Sequence, residues 1–154
     1  MKKLLFFFAA VLLMQSCGTI DVYEKTTPFS NHAWAVNNKL SFEFAITDTA
    51  SLYNIYTVIR HTDAYRYNNM YLNVTTVAPG DKAITQQVEL LLGDNTKGWL
   101  GSAMDDIIEH RILLTRFPVK LKAGKYNFTL QQTMRDDPLE NILNAGLRVE
   151  KASQ

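Results

Sequence analysis

The chain has 154 residues, 47% of them hydrophobic, with 16 basic against 15 acidic side chains and a single cysteine. That length suits one domain with its own hydrophobic core, and the near-neutral charge offers no basic excess for nucleic acid. One cysteine excludes an internal disulfide framework and a thiolate zinc site, so stability must come from packing.

The first segment carries Lys2 and Lys3, an unbroken apolar run over residues 4–14, then Gln15-Ser16-Cys17. Read as a secretory signal, the lysines form the positive n-region. Residues 4–13 give an h-region too short to span a bilayer, and Ser16 is the small residue before the cut. A cysteine directly after such a cut is the lipid-attachment residue of bacterial lipoproteins. Its thiol receives a diacylglycerol and the new amino terminus is usually acylated, which gives the firm hold that one chain alone lacks. Met14 stands where the usual lipobox has leucine, with Leu13 one step earlier. The expected division is therefore a signal over residues 1–16, lipidated Cys17 with a short tether over 17–19, and a single domain over 20–154. The alternative is an ordinary cleaved signal with an incidental cysteine, or a buried thiol. No second apolar stretch approaches the roughly 20 residues needed to cross a bilayer.

After the tether, Ile20-Asp21-Val22-Tyr23-Glu24 reads as a first strand. Period two then dominates: Leu40, Phe42, Phe44 and Ile46 alternate with polar or small residues, as do Met70, Leu72 and Val74, then Val88, Leu90 and Leu92. Tyr126, Phe128 and Leu130 repeat the pattern, and Leu147 and Val149 close it. Residues 54–59 are apolar on both faces, which suits a central strand. Asp48-Thr49-Ala50-Ser51, Pro79-Gly80-Asp81, Gly93-Asp94-Asn95 and Ala123-Gly124-Lys125 supply turn chemistry between these runs. Seven or eight short strands at this spacing predict an all-β fold, an antiparallel β-sandwich of jelly-roll or Greek-key type. Two short helices are expected to interrupt it. Ser102 can cap a helix over residues 103–110, and Asp137-Pro138-Leu139-Glu140 sets cap, first-turn proline and capping-box glutamate in order.

The densest polar cluster is Asp105-Asp106-Ile107-Ile108-Glu109-His110-Arg111. On one helical turn Asp106, Glu109 and His110 could ligate a metal or form an acid/base pair. The competing reading is a solvated helix whose acids and bases complement the macrodipole. His61 and Asp63 would share a face of an extended strand as a hydrogen-bonded rim pair; no Gly-x-Ser-x-Gly elbow accompanies them. His32 stands beside Trp34, and Tyr65, Tyr67 and Tyr71 alternate with Arg66 and Asn68. On a sandwich, Trp34 and these tyrosines could present a stackable polar face to a sugar ring or a protein partner, or could be ordinary sheet tyrosines. Trp99, between Gly98 and Gly101, either plugs one end of the sandwich or serves as an anchor. Asn73-Val74-Thr75 and Asn127-Phe128-Thr129 fit the N-glycosylation pattern, a weak signal in this setting. Phosphate-binding glycine loops, zinc-ligand spacings and hydrolase or kinase signatures are absent.

Taken in order, Asp21-Val22-Tyr23-Glu24-Lys25, Asn31-His32-Ala33-Trp34, Leu52-Tyr53-Asn54-Ile55-Tyr56, Arg60-His61-Thr62-Asp63-Ala64-Tyr65, Lys97-Gly98-Trp99-Leu100-Gly101, Met134-Arg135-Asp136-Asp137-Pro138-Leu139 and Gly146-Leu147-Arg148-Val149-Glu150 resemble the gliding motility lipoprotein GldH family of the Bacteroidetes. The resemblance implies a cell-envelope lipoprotein associated with gliding along surfaces, within machinery linked to type IX protein secretion. It brings no catalytic or ligand-binding residues to these positions. The expectations are a non-enzymatic interaction protein with no cofactor beyond the lipid on Cys17 and with envelope proteins as partners. The alternatives are a carbohydrate-binding module using Trp34, Tyr65, Tyr67 and Tyr71, and a metal enzyme using Asp106, Glu109 and His110. Asp48-Thr49-Ala50 resembles the O-glycosylation motif of exported Bacteroidetes proteins and is equally a turn. Gly18-Thr19-Ile20-Asp21 lacks the acidic run that often sends such lipoproteins to the outer face, which favours the periplasmic side and leaves inner against outer membrane open.

Overall fold

The computed structural model describes residues 21–152; Cys17, the signal and the tether lie outside the described residues. Fourteen strands follow in order: β1 (Asp21–Pro28), β2 (Ala33–Trp34), β3 (Leu40–Ile46), β4 (Leu52–Thr62), β5 (Asn69–Val77), β6 (Ile84–Leu91), β7 (Gly93–Asp94), β8 (Gly98–Trp99), β9 (Ser102–Met104), β10 (Ile107–Leu113), β11 (Val119–Lys120), β12 (Gly124–Gln132), β13 (Leu139–Glu140) and β14 (Ile142–Lys151). The one helical segment among the described residues is a 3-10 turn at Ser30–His32. All pairings are antiparallel. The first sheet runs β1-β14-β4-β10-β9, with β11 also on β4, and the second runs β3-β12-β5-β6. This is the all-β sandwich that the period-two pattern predicts.

Alternation places the core. In β3, Leu40, Phe42, Phe44 and Ile46 are buried while Ser41, Glu43 and Ala45 are exposed. The register sets Phe44 opposite Tyr126, Phe42 opposite Phe128 and Leu40 opposite Leu130, so each rung of the second sheet is apolar on its inner face. The Phe44 ring stacks on Tyr126 at 5.4 Å and on Phe128 at 5.7 Å. Burying each large side chain of this kind contributes about 1.5–3 kcal/mol. The facing sheet supplies Tyr53, Ile55, Ile59, Leu147 and Val149, all buried.

The central-strand expectation for residues 54–59 falls on β4, which pairs with β14 on one side and with β10 and β11 on the other. Val58 is buried although it faces away from the core. Its neighbour across β14 is Gly146, where a Cβ would collide with the Lys25 carbonyl and Thr26 on β1. Gly146→Ala is therefore expected to push β1 off β14 and to destabilise by about 1–3 kcal/mol; an unchanged melting temperature would contradict this.

Neither expected helix forms. Ser102 lies in β9, Asp105 takes φ 54°, and Met104 pairs with Ile107 across a two-residue turn, making a hairpin from what reads as a capped helix. The hairpin wins because Ile108, His110 and Ile112 share the inner face of β10, a period-two set that a helix would scatter. In the second case Asp137 Oδ1 accepts the Val36 N–H at 2.8 Å instead of capping its own helix, and β13 docks Leu139 opposite Trp34.

Candidate interaction surface

Polar residues gather in three places. The first is an imidazole pair inside the sandwich. His61 on β4 is fully buried and His110 on β10 is 3% exposed, and their Nε2 atoms lie 2.9 Å apart. His61 Nδ1 lies 2.7 Å from the Thr62 carbonyl, which can only accept, so Nδ1 carries the proton and Nε2 is the acceptor for His110 Nε2–H. The Trp99 ring stands edge-on to His61 at 4.5 Å and Tyr65 lies at 5.1 Å. Trp99 is half-buried and closes this end of the core, as the plugging reading holds. Gly101 allows the close approach there, since a Cβ would strike the Glu109 carbonyl and the His110 ring.

This arrangement corrects one expectation and bears on one alternative. His61 pairs with His110 rather than with Asp63, whose backbone N–H goes to the Asp106 carbonyl at 2.9 Å. Asp106, Glu109 and His110 do not form a ligand set, because alternation along β10 sends His110 inward and Glu109 outward to Arg60. Among the described residues no group of three or more His, Cys, Asp or Glu could hold a metal ion.

Burial, and then the neighbouring His61, depress the His110 pKa to about 4, and burial lowers that of His61. Both rings are neutral near pH 7. Below the unfolded value near 6.5 the unfolded chain takes up protons that the folded pair refuses, so stability present above pH 6.5 falls as pH drops toward 4. The melting temperature should decline between pH 7 and 4.5, and a His110→Gln variant should decline less; equal slopes would remove the pair as the cause.

The second gathering covers the outer face of the first sheet. Arg60, Glu109, Arg111, Glu24, Arg148 and Glu150 form a continuous ladder of alternating charge across β4, β10, β1 and β14. Arg111 Nε meets Glu109 at 2.9 Å and Arg148 meets Glu150 at 2.8 Å. Burial raises the Glu109 pKa, but Arg60 and Arg111 outweigh it and hold the carboxyl below its ordinary range. The ladder roofs Val58 and satisfies its own charges.

The third gathering is a pair of concavities of about 410 Å³ each that share Tyr67 and Arg135. One continues along Arg66, Asp136, Asp137 and Glu140, the other along Asn69, Tyr71, Gln87 and Thr133. Tyr67 donates to Asp136 Oδ2 at 2.7 Å, and that carboxylate raises the phenol pKa. Of the four aromatics offered as an outward face, Tyr71 is exposed here and Tyr67 is half-buried, packed against the core. Trp34 is fully buried, stacks on Phe29 at 5.0 Å and donates Nε1–H to the Asn38 carbonyl at 2.8 Å. Tyr65 is only 4% exposed and spends its hydroxyl on the Asn69 carbonyl. Period two in Tyr65-Arg66-Tyr67 suggests exposure but does not reveal which end of the segment turns into the core.

Thr49 is exposed at the tip of the turn between β3 and β4. Asp48 holds that turn, accepting from the Ala50 N–H at 2.9 Å, from Ser51 Oγ at 2.7 Å and from Lys151 Nζ at 2.6 Å, which keeps its carboxyl well below the usual range.

Against known proteins, the model of the GldH lipoprotein family matches residues 21–149, from the first residue of β1 almost to the end of β14. The chain belongs to that family. Its curated relatives include a protein of Christiangramia forsetii named "Gliding motility lipoprotein GldH homolog", 28% identical over 153 residues, covering 95% of this chain and 93% of the relative. Another, from Flavobacterium johnsoniae and named "Gliding motility lipoprotein GldH", is 26% identical over 149 residues and 92% of each chain. Among solved structures, a chain from infectious bursal disease virus Gx strain aligns over 84% of this chain and 29% of its own length, with 9% identity and a TM-score of 0.29, too slight a likeness to carry an argument. The GldH match thus spans both sheets and, apart from Glu150, all three polar gatherings.

Proposed function

We propose that this GldH-family chain is a non-enzymatic lipoprotein, anchored to a cell-envelope membrane through Cys17 and acting by protein contact in gliding-motility machinery linked to type IX secretion. The observation that carries the reading is the family match over residues 21–149, together with relatives named as gliding motility lipoproteins. The signal-like residues before Cys17 support the anchor. The interior supports contact over catalysis: the two imidazoles spend their facing nitrogens on one another, and among the described residues neither ring is hydrogen-bonded to a hydroxyl nucleophile. The periplasmic side is the compartment favoured by the residues after Cys17, and Thr49 at its exposed turn is the position for any O-glycan. The test is deletion of the encoding gene, with gliding and secretion assayed and envelope partners recovered after crosslinking in intact cells. Normal gliding, normal secretion and no envelope partner would end the proposal.

A second reading, a carbohydrate-binding module, is favoured by the two concavities meeting at Tyr67 and Arg135, where phenol, guanidinium and amide groups face one opening. It predicts retention of envelope or plant polysaccharides on a glycan array and loss of that retention in Tyr67→Ala. An array without signal discards it.

A further inference from the structure

The sandwich is closed on one side and open on the other. On the closed side β1 and β3 meet, with the rings of Tyr23 and Phe44 5.5 Å apart. The edges there are blunted: β1 carries a register shift between Asp21 and Tyr23, the charged Glu24 and Lys25, and Pro28 at its end. At the far edge of the first sheet, β9 has only three residues. Such devices keep strand edges from recruiting other chains.

β6 is far less protected. It ends the second sheet, pairs with β5 in an unbroken register over eight residues, and contains neither proline nor a basic residue, with Glu89 its only charge. Its core-facing positions are also uncovered over the first half of the strand, Leu90 alone being fully buried. Ile84 is 60% exposed, Gln86 is exposed and Val88 half-buried, whereas the corresponding rows of β3 and β12 are buried. Two openings border the strand. A largely apolar one of about 230 Å³ lies between Ile84, Gln86 and Val88 and the residues Leu114 and Thr115, reaching in to Phe128. Another of about 370 Å³, mostly polar, lies between Leu91 and Leu100 and the residues Ser102, Glu109 and Arg111. The Thr115 hydroxyl in the first opening is buried without a hydrogen-bond partner. Lys82, two residues before Ile84, and Arg116, next to Thr115, have no acidic partner among the described residues.

We infer that β6 is a docking edge for an extended segment of a partner protein, which adds as a further antiparallel or parallel strand and turns every second, apolar side chain into the apolar opening at Ile84 and Val88. The free edge supplies main-chain hydrogen bonds and the opening supplies side-chain selectivity, the division of labour in strand addition. The incoming backbone also brings polar groups toward the Thr115 hydroxyl. Charge selects the flanks: an acidic segment complements Lys82 and Arg116, whereas a second copy of this chain would bring the same two cations to the edge. The inference rests on the protein-contact reading above. A deletion strain that glides normally would remove that reading and leave binding at β6 untouched, while a gliding defect without binding at β6 would remove only this edge.

The experiment uses the full chain in detergent and a panel of ten-residue peptides that alternate Val, Ile or Phe with Thr between terminal Glu residues. Same-composition peptides with the apolar residues in one block, and alternating peptides N-methylated at every second residue, are the controls. Alternating peptides are expected to slow amide hydrogen exchange over residues 84–91 and not over β3. They should bind at least tenfold tighter than both controls. The double variant Ile84→Glu, Gln86→Glu, changed only at exposed positions, should lose at least tenfold in affinity with an unchanged melting temperature. Three results would overturn the inference: no alternating peptide protects β6, the variant binds as well as the parent, or the chain alone protects β6 as its concentration rises, which assigns the edge to a second copy.

Discussion

Replacing Trp34 with alanine is expected to destabilise the fold by about 3–5 kcal/mol, enough to lower the melting temperature by roughly 10–20 °C in a domain of this size. The indole is fully buried and stacked on Phe29. It sits opposite Leu139 across the β2–β13 pair, so its loss opens a void where two short strands depend on it. Its carbonyl also receives the buried Gln132 amide at 3.3 Å, and that amide reaches the Asp136 carbonyl at 3.3 Å, tying this end of the sandwich to the wall of the Tyr67 concavity. Trp34→Phe should keep the stacking and lose the hydrogen bond to Asn38, an intermediate loss of about 1–2 kcal/mol. Calorimetry of both variants separates the readings: a sugar-stacking tryptophan on the surface would leave the melting temperature where it was.

Cys17→Ser is expected to move the protein from the membrane to the soluble fraction and to abolish its role in motility, with the melting temperature unchanged. The physical basis is the anchor itself: at about 0.8 kcal/mol per buried methylene, two or more acyl chains dominate membrane partition. The described residues include no helix long and apolar enough to cross a membrane. Fractionation of cells making the variant is the measurement. Full membrane retention would show that something other than Cys17 holds the chain.

The sheet architecture was legible because burial here follows strict alternation. Leu40, Phe42 and Phe44 in one segment and Tyr126, Phe128 and Leu130 in another announce two half-buried strands before any pairing is known. The helix expectations failed for a shared reason: capping signatures are short-range, and the same Asp and Pro residues serve tight turns. Ser102 with Asp105 looked like a cap, yet the alternating Ile108, His110 and Ile112 carried the stronger, longer-range signal, and reading it would have found His110 on the core face. The His61–His110 contact joins residues 49 positions apart and depends on the register of β10 on β4, which no local pattern fixes. The enclosure of Trp34 by Phe29 and Leu139 is likewise a property of the assembled end and not of Asn31-His32-Ala33-Trp34.

The placement of β1 carries a mechanical consequence. Any tether at the amino terminus reaches the domain through this strand, which lies at the edge of the first sheet and has its main-chain ladder with β14 alone, Tyr23 against Val149 through Pro28 against Asn144. A force pulling along the strand loads those rungs together in shear, whereas a force pulling across it opens them one after another like a zipper. The domain will therefore resist drag parallel to β1 far better than peeling away from β14. Single-molecule pulling from residue 21 against anchors placed at different points on the sandwich would measure that anisotropy directly.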